Sequence, residues 1–515
     1  MDYLKIFLYL IKQLLITLII LFISYKIGRY VFKLFSIEIF TRLERIIFSI
    51  GLGLGGIIYL MFLIGISGLY YEWAFRVIFY SFIFLLALDL YNNVKLKSLF
   101  RNTVSRFLNL GLEWFDYIVL SLLGIFIIFY ILPYSLLPEI GEDALRCHLY
   151  IPKLYIQNHK IFNVDNFSSY SNMPFNIQMI YTLGLLVEGE IVAKLINFAL
   201  GLTIIAAIFS FCKRYFNARM GVIASLIFYI TPSVYNNSIT ANTDIGEVLF
   251  LFLSVYILFI WNEFKKNNLL ILSAIFYGIA LGSKYNSLYA LVPLLFFIGM
   301  GTGLNIKRIG KNIFLFIAVV VIFISIWWIK AYIYTGNPVF PYLNKIFNSN
   351  LWQRDRNDWL NLHSYGKPIS LKNTLFLPFD IVFNSHIYGG GPRDILYFLF
   401  VPIGIYSFIL NKEKSIIIGY LLILITAYSI FWAMTFQYLR WLMPVLPSAS
   451  IICAYGVYNL SEICLLKYKN IVKTLLILLL AGSMFFTSIK DLDAEYSVSH
   501  LKNLFTRVQI MIEKA

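Results

Sequence analysis

Long apolar runs separated by short polar connectors dominate the chain. A helix that crosses a bilayer needs roughly 20 mostly apolar residues, and about fourteen stretches approach that length. They begin at approximately 4–25, 46–67, 73–90 and 116–137 and continue, closely spaced, from 190 to 489. The pattern predicts an all-α, polytopic membrane protein with two long connectors, 138–189 and 334–393. Residues 174–188 are apolar enough to pass for a span. Counting them as one would place Lys213, Arg214 and Arg219 on the same face as the long connectors and Asp244 on the other. They are therefore predicted to form a helix lying in the membrane interface. No heptad or solenoid repeat, low-complexity tract or separate soluble domain interrupts the pattern.

Composition agrees with the bilayer as solvent: 60% of residues are hydrophobic and only 13% charged, and the mean hydropathy is +0.79. A net charge of +16 raises nucleic acid as a partner, but the cations sit in short connectors, as the positive-inside rule requires. Lys26/Arg29/Lys33, Lys95/Lys97/Arg101, Lys213/Arg214/Arg219, Lys265/Lys266, Lys307/Arg308/Lys311, Lys412/Lys414 and Lys467/Lys469 all share one face if the spans alternate. That face is predicted to be cytoplasmic, with membrane lipids as partners and no nucleic acid. Both long connectors and both termini then fall outside. The four cysteines, Cys147, Cys212, Cys453 and Cys464, show no metal-binding or redox spacing. The first apolar run has no small-residue cleavage site and reads as a retained span.

Chemistry is sought in the external connectors. The run Glu142-Asp143-Ala144-Leu145-Arg146-Cys147-His148 opens the first of them and offers carboxylates at the membrane surface, although Asp before Ala-Leu-Arg is also a good helix start. Arg146 follows Asp143 by three residues, on the same helical face. Asp244 closes the polar turn 236–244 directly before an apolar span, where it too could cap a helix. Lys284, Arg440, Lys330 and Lys194 lie near the external ends of apolar segments, against the topology rule, and so ask for a reason. Snorkelling or an acidic partner supplies one for Lys330 and Lys194.

Taken in order, EDALRCHLYIPKLY (142–155), NMPFNIQMIYTLGLL (172–186), GSKYNSL (282–288), YTGNPVFPYLN (334–344) and QYLRWLMPVLP (437–447) resemble the polytopic glycosyltransferases of the GT-C architecture. Relatives in that group include the lipid A aminoarabinose transferases and the protein O-mannosyltransferases. The resemblance spans residues 116–460 within a catalytic unit expected over 116–489. Residues 1–115 are an amino-terminal addition of three spans, and 490–515 an external tail. It implies inverting transfer of a sugar from a polyprenyl-phosphate donor to an acceptor at the external face of the cytoplasmic membrane, in cell-envelope glycan synthesis or modification.

An acceptor hydroxyl is a poor nucleophile, so such transfer needs a carboxylate base as the sugar departs. Asp143 matches the family's catalytic Asp, with Glu142 as the neighbouring alternative and Asp244 as the second acidic position. Lys284, with Tyr285 beside it, and Arg440 match the family's basic positions and are expected to hold the carrier phosphate. Arg146, His148, Lys330 and Lys194 complete the substrate-binding candidates. No cofactor is called for with certainty. Some members use a divalent metal, for which His148, Glu142, Asp143, His363 and His386 are ligand candidates, but Asn172 stands where the aminoarabinose transferases carry an acid. The aromatic and polar run from Trp352 to Tyr365 is expected to contact the acceptor, whether glycan, lipid or protein. A lipid-linked glycan polymerase or ligase shares this topology. A flippase or secondary transporter fits less well, because the charges gather at one face and no half-repeat is visible.

Overall fold

The computed structural model of the protein describes residues 3–35, 40–92, 111–165, 168–349, 365–390, 395–410, 415–463, 469–494 and 506. Among them there is no strand. Among the described residues nine helices are long and apolar enough to cross a membrane, ten if one sharply bent pair counts as a span. The expected number of about fourteen differs for a physical reason. Asn267–Leu281 and Ile395–Leu410 are apolar but shorter, about 22–24 Å at 1.5 Å per residue.

The chain opens with α1 (Tyr3–Phe35), α2 (Arg42–Ile66) and α3 (Glu72–Asn92). After α4 (Trp114–Ser135), α5 (Tyr150–Gln157) and α6 (Asn176–Val187) occupy the first long connector. Then come α7 (Glu190–Tyr215), α8 (Ala218–Tyr229), α9 (Pro232–Ser238), α10 (Asp244–Phe264), α11 (Asn267–Leu281), α12 (Leu291–Thr302) and α13 (Ile306–Thr335). The second long connector carries α14 (Leu371–Phe383) and is followed by α15 (Ile395–Leu410), α16 (Ser415–Ala433), α17 (Leu446–Ile463) and α18 (Lys469–Ala494).

Helix α6 forms where the interfacial helix was expected, but it is buried over almost its whole length. It packs against α2, α3, α5 and α7, so its apolar circumference meets protein rather than headgroups. The amino-terminal helices thus pack onto the helices that follow them as well as preceding them.

Helix α10 is the central strut: the span it forms is wholly enclosed by protein, with α2, α7, α11, α12 and α17 around it. Its amino-terminal end is set by a break in the preceding span. Proline favours the first helical turn and restrains the residue before it, and Pro232 starts α9 at a 73° bend from α8. The chain then turns back through 239–243 to begin α10. Irregular backbone at this depth is tolerated only when protein groups satisfy it. Asn197 donates to the carbonyls of Asn237 and Thr240, both at 2.6 Å, and Tyr181 to that of Asn242 at 2.5 Å.

The opposite end of the bundle holds a different set of charges. Buried Glu44 on α2 receives Arg214 of α7 at 3.0 Å and the Tyr256 hydroxyl at 2.7 Å, and Arg214 reaches Glu263 at 2.8 Å. Arg219 on α8 binds Glu113 at 2.9 Å and Asp116 at 3.0 Å. These ion pairs join helix ends on the side carrying the sequence's Lys213–Arg219 cluster.

Candidate active site

Four residues far apart in the chain meet where α10 begins. Arg440 reaches Asp143 Oδ2 at 2.6 Å and, through Nε, Asp244 Oδ2 at 3.6 Å, while Lys284 reaches Asp244 Oδ1 at 2.6 Å. The result is a continuous chain of alternating charge, Asp143–Arg440–Asp244–Lys284. Asp244 is almost wholly buried (2% side-chain exposure) and Asp143 is half open to solvent (44%). Neither carboxylate caps a helix. Asp143 makes no capping bond to the π-helical turn Ala144–His148, and the residue before α10 is Thr243, with Asp244 in the helical first turn. There the helix dipole favours its negative charge.

Each partner is delivered by a built local structure. Glu139 is fully buried; its Oε1 accepts the backbone N–H groups of Ile140 (2.9 Å) and Gly141 (2.8 Å), and its Oε2 that of Ala241 (2.6 Å). One carboxylate therefore staples the loop leading to Asp143 onto the turn leading to Asp244. Glu190 extends the staple, accepting the N–H of Glu139 at 3.3 Å and Lys153 Nζ at 3.0 Å. Lys284 leaves the end of α11, where Gly282 lies so close to α6 that a Cβ would fall 2.3 Å from Asn176 Nδ2. Asn176 binds there through its N–H to Gly282 O (3.0 Å) and its side chain to Ile279 O (2.9 Å), and Trp327 Nε1 donates to its Oδ1 at 2.6 Å. This explains why an Asn in the NMPFN run accompanies a Gly in the GSKYN run. Arg440 rides on the 3-10 turn Leu439–Val445, held by Trp432 Nε1 to Tyr438 O (2.8 Å) and Tyr428 Oη to Trp441 O (3.0 Å). Its guanidinium lies 5.1 Å from the Tyr438 ring centroid.

The remaining candidates separate from this cluster or border it. Glu142 is exposed (87%) and pairs loosely with Arg146 at 3.7 Å, so of the two neighbouring acids Asp143 is the one brought to the cations. Lys194 donates to the carbonyls of Tyr134 (3.1 Å), Leu137 (2.8 Å) and Pro138 (3.2 Å), satisfying the end of α4. Buried Lys330 donates to Ser171 O and, at 3.4 Å, to Asn172 Oδ1. Tyr285 packs its ring edge-on to Tyr342 at 5.4 Å. His386 lies in the short turn Ser385–Tyr388. Among the described residues no three His, Cys, Asp or Glu side chains converge to hold a metal ion. Residues Trp352–His363 fall outside the described residues.

Sequence reasoning missed Glu139, Glu190 and Glu247. Glu247 stands one turn after Asp244 on α10, fully buried, and accepts the Ser287 hydroxyl at 2.9 Å. An acid inside an apolar span was the available signal.

His148 borders the cluster, with Gln178 Nε2 3.1 Å from its Nδ1. Burial chiefly, with Lys284 and Arg440 adding to it and Asp143 opposing, lowers its pKa from 6.5 to about 4. For Asp143, burial alone would raise the carboxyl, but Arg440 and, more weakly, His148 and Lys284 bring it below its ordinary value. The imidazole is thus neutral and the carboxylate ionised at neutral pH. A histidine whose folded pKa is depressed takes up its proton later than in the unfolded chain, so stability is lost as pH falls through the window from about 6.5 to about 4. Thermal melts in detergent across that range are expected to show a slope for the wild type that is reduced in His148→Gln.

Among the described residues the fold is all-helical and multi-span, and it gathers paired acids and bases at one end of its bundle. Residues 173–329, a stretch that carries Asp244 and Lys284, match the family described as dolichyl-phosphate-mannose-protein mannosyltransferase. No curated protein matches significantly. Among solved structures, apo ArnT from Cupriavidus metallidurans aligns at 16% identity with a TM-score of 0.48, covering 66% of this chain and 59% of that one. The same protein bound to undecaprenyl phosphate aligns at 14% identity with a TM-score of 0.46, covering 66% and 60%. The chain thus matches about three fifths of their length.

Proposed function

We propose that the protein is an inverting glycosyltransferase that moves a sugar from a polyprenyl-phosphate donor to an acceptor at the external face of the cytoplasmic membrane. The observation that carries this reading is the ion-pair chain Asp143–Arg440–Asp244–Lys284, which sets one solvent-accessible carboxylate beside two cations at the mouth of an apolar bundle. The family match lends it support, since that family's description names a lipid-phosphate sugar donor. The cation-rich connectors at the other end of the bundle support the external placement.

In this reading the donor phosphate binds Lys284 and Arg440. The acceptor oxygen attacks the anomeric carbon, the bond from that carbon to the phosphate oxygen breaks, and the acceptor proton passes to Asp143. The phosphate leaves as an anion and stays on the two cations, which stabilise charge where it develops. In the unliganded protein both cations already have carboxylate partners, so phosphate must compete for them. Winning Arg440 releases Asp143 from the partner that holds its pKa low, making it a stronger base when the donor is in place. Base strength is thereby linked to donor occupancy. Asp244 keeps both cations in reach without itself facing solvent.

The test is transfer from synthetic polyprenyl-phosphate monosaccharides in proteoliposomes, reading release of carrier phosphate and appearance of labelled product. Consumption of donor with product formation is expected. Movement of labelled lipid or solute across the bilayer without donor consumption would establish a transporter and remove the proposed roles.

A further inference from the structure

We infer that Glu247 and Ser287 form a second tie between α10 and the lysine-bearing turn, and that Glu247 is a positioning residue for Lys284. The inference rests on the reading of the site given above. Asp244 and Glu247 stand three residues apart on α10, hence on one face, and Lys284 and Ser287 stand three apart on the facing turn. The two intervals match, so two links run side by side: Lys284 Nζ to Asp244 Oδ1 at 2.6 Å and Ser287 Oγ to Glu247 Oε1 at 2.9 Å. Ser287 is itself anchored, accepting Tyr277 Oη on its carbonyl at 2.9 Å and donating its N–H to Lys284 O at 3.3 Å.

The two links differ in what a ligand would do to them. The outer one is ionic and involves the cation assigned to the phosphate, so donor binding opens it. The inner link is fully buried: Glu247 and Ser287 are both closed to solvent, and a bond between a hydroxyl and a carboxyl group offers no cation for phosphate to claim. With the inner link intact, Lys284 changes partner by rotating its side chain while its turn stays docked on α10. Without it, the turn loses a second side-chain hydrogen bond to α10 at the moment the outer link opens, and ordering Lys284 on the phosphate costs additional conformational entropy. A buried carboxyl with one oxygen, Oε2, lacking a hydrogen-bond partner among the described residues is costly to keep in an apolar helix. A link needed during turnover gives a reason to retain it.

The experiment uses the full chain in lipid nanodiscs, with two readouts: affinity for a sugar-free polyprenyl monophosphate, and transfer kinetics with the sugar-loaded donor. Ser287→Ala and Glu247→Ala are expected to weaken monophosphate binding and raise donor KM by about tenfold while changing kcat by less than about threefold. Glu247→Gln keeps an oxygen that accepts the Ser287 hydroxyl and is expected to restore both values to within about threefold of wild type. Ser287→Ala removes one oxygen atom, so its melting temperature shows whether the fold is kept. Unchanged binding and KM in folded Ser287→Ala would overturn the inference, as would a Glu247→Gln variant that loses kcat, since the charge would then serve the chemistry. A wild-type protein that binds no polyprenyl monophosphate overturns the site reading and this inference together, whereas wild-type binding left intact in Ser287→Ala overturns this inference alone.

Discussion

Asp143→Asn is expected to lower kcat for sugar transfer by about 10²- to 10⁴-fold, the range that a positioned general base contributes, while strengthening binding of the carrier phosphate. The second half of that expectation distinguishes the ion-pair chain from an ordinary catalytic acid. In the wild type Arg440 meets Asp143 at 2.6 Å, and an arriving phosphate must displace that carboxylate. Asparagine keeps the shape and loses the charge, so the guanidinium competes less for its old partner and more for the new one. Single-turnover assays and binding of sugar-free polyprenyl phosphate check the two halves separately. Glu142→Gln is the control, because Glu142 is exposed and pairs loosely with Arg146. A loss in Glu142→Gln comparable to that in Asp143→Asn would move the base to the neighbouring acid.

Arg440→Met is expected to damage both stability and activity, by separable routes. Asp244 is buried and pairs with Arg440 on one side and Lys284 on the other. Removing one partner of a buried pair typically costs about 3–5 kcal/mol because it leaves charge uncompensated. Here Lys284 remains, so the lower part of that range is expected, read as a drop in melting temperature. Adding Asp244→Asn removes the stranded charge and should recover much of the stability. Activity should not return in the double variant, since the phosphate has lost a cation. If the double variant is as unstable as the single one, the contribution of Arg440 is packing against Tyr438 rather than charge. Arg440→Lys offers no full rescue, because a single ammonium cannot reproduce the fork that faces two carboxylates.

The residues of the charged chain were legible in the sequence because they break its dominant pattern. In a chain this apolar, Asp143, Asp244, Lys284 and Arg440 each stand at the edge of a hydrophobic run on the face where cations are not expected. What could not be read was which of them meet. The side on which Asp143 points, away from Glu142 and Arg146 and toward Arg440, depends on the turn that Glu139 ties down, and no local pattern announces a tie between residues 139 and 241. Glu247 was passed over because it lies inside a span, where hydropathy averages it away. Lys194 and Lys330 resembled Lys284 and Arg440 in placement but are used on backbone carbonyls. That difference depends on where α4 ends and on how Ser171 approaches α13, which are tertiary facts. Helix α6 shows the same limit: its apolarity was plain, but whether lipid or protein would cover it was decided by α2 and α3.

The four-membered chain carries two positive and two negative formal charges, and these cancel. Opposed charges a few ångströms apart cast little field beyond a Debye length, about 8 Å at physiological ionic strength, so the resting site does not draw anions from the solution it faces. A lipid with a long tail would have another way in, by lateral diffusion within the bilayer to the end of the bundle that carries the charges. If the site takes a lipid phosphate as proposed, contact at short range rather than attraction at long range would select it, and soluble phosphates passing the same site would meet a pair of cancelling charges.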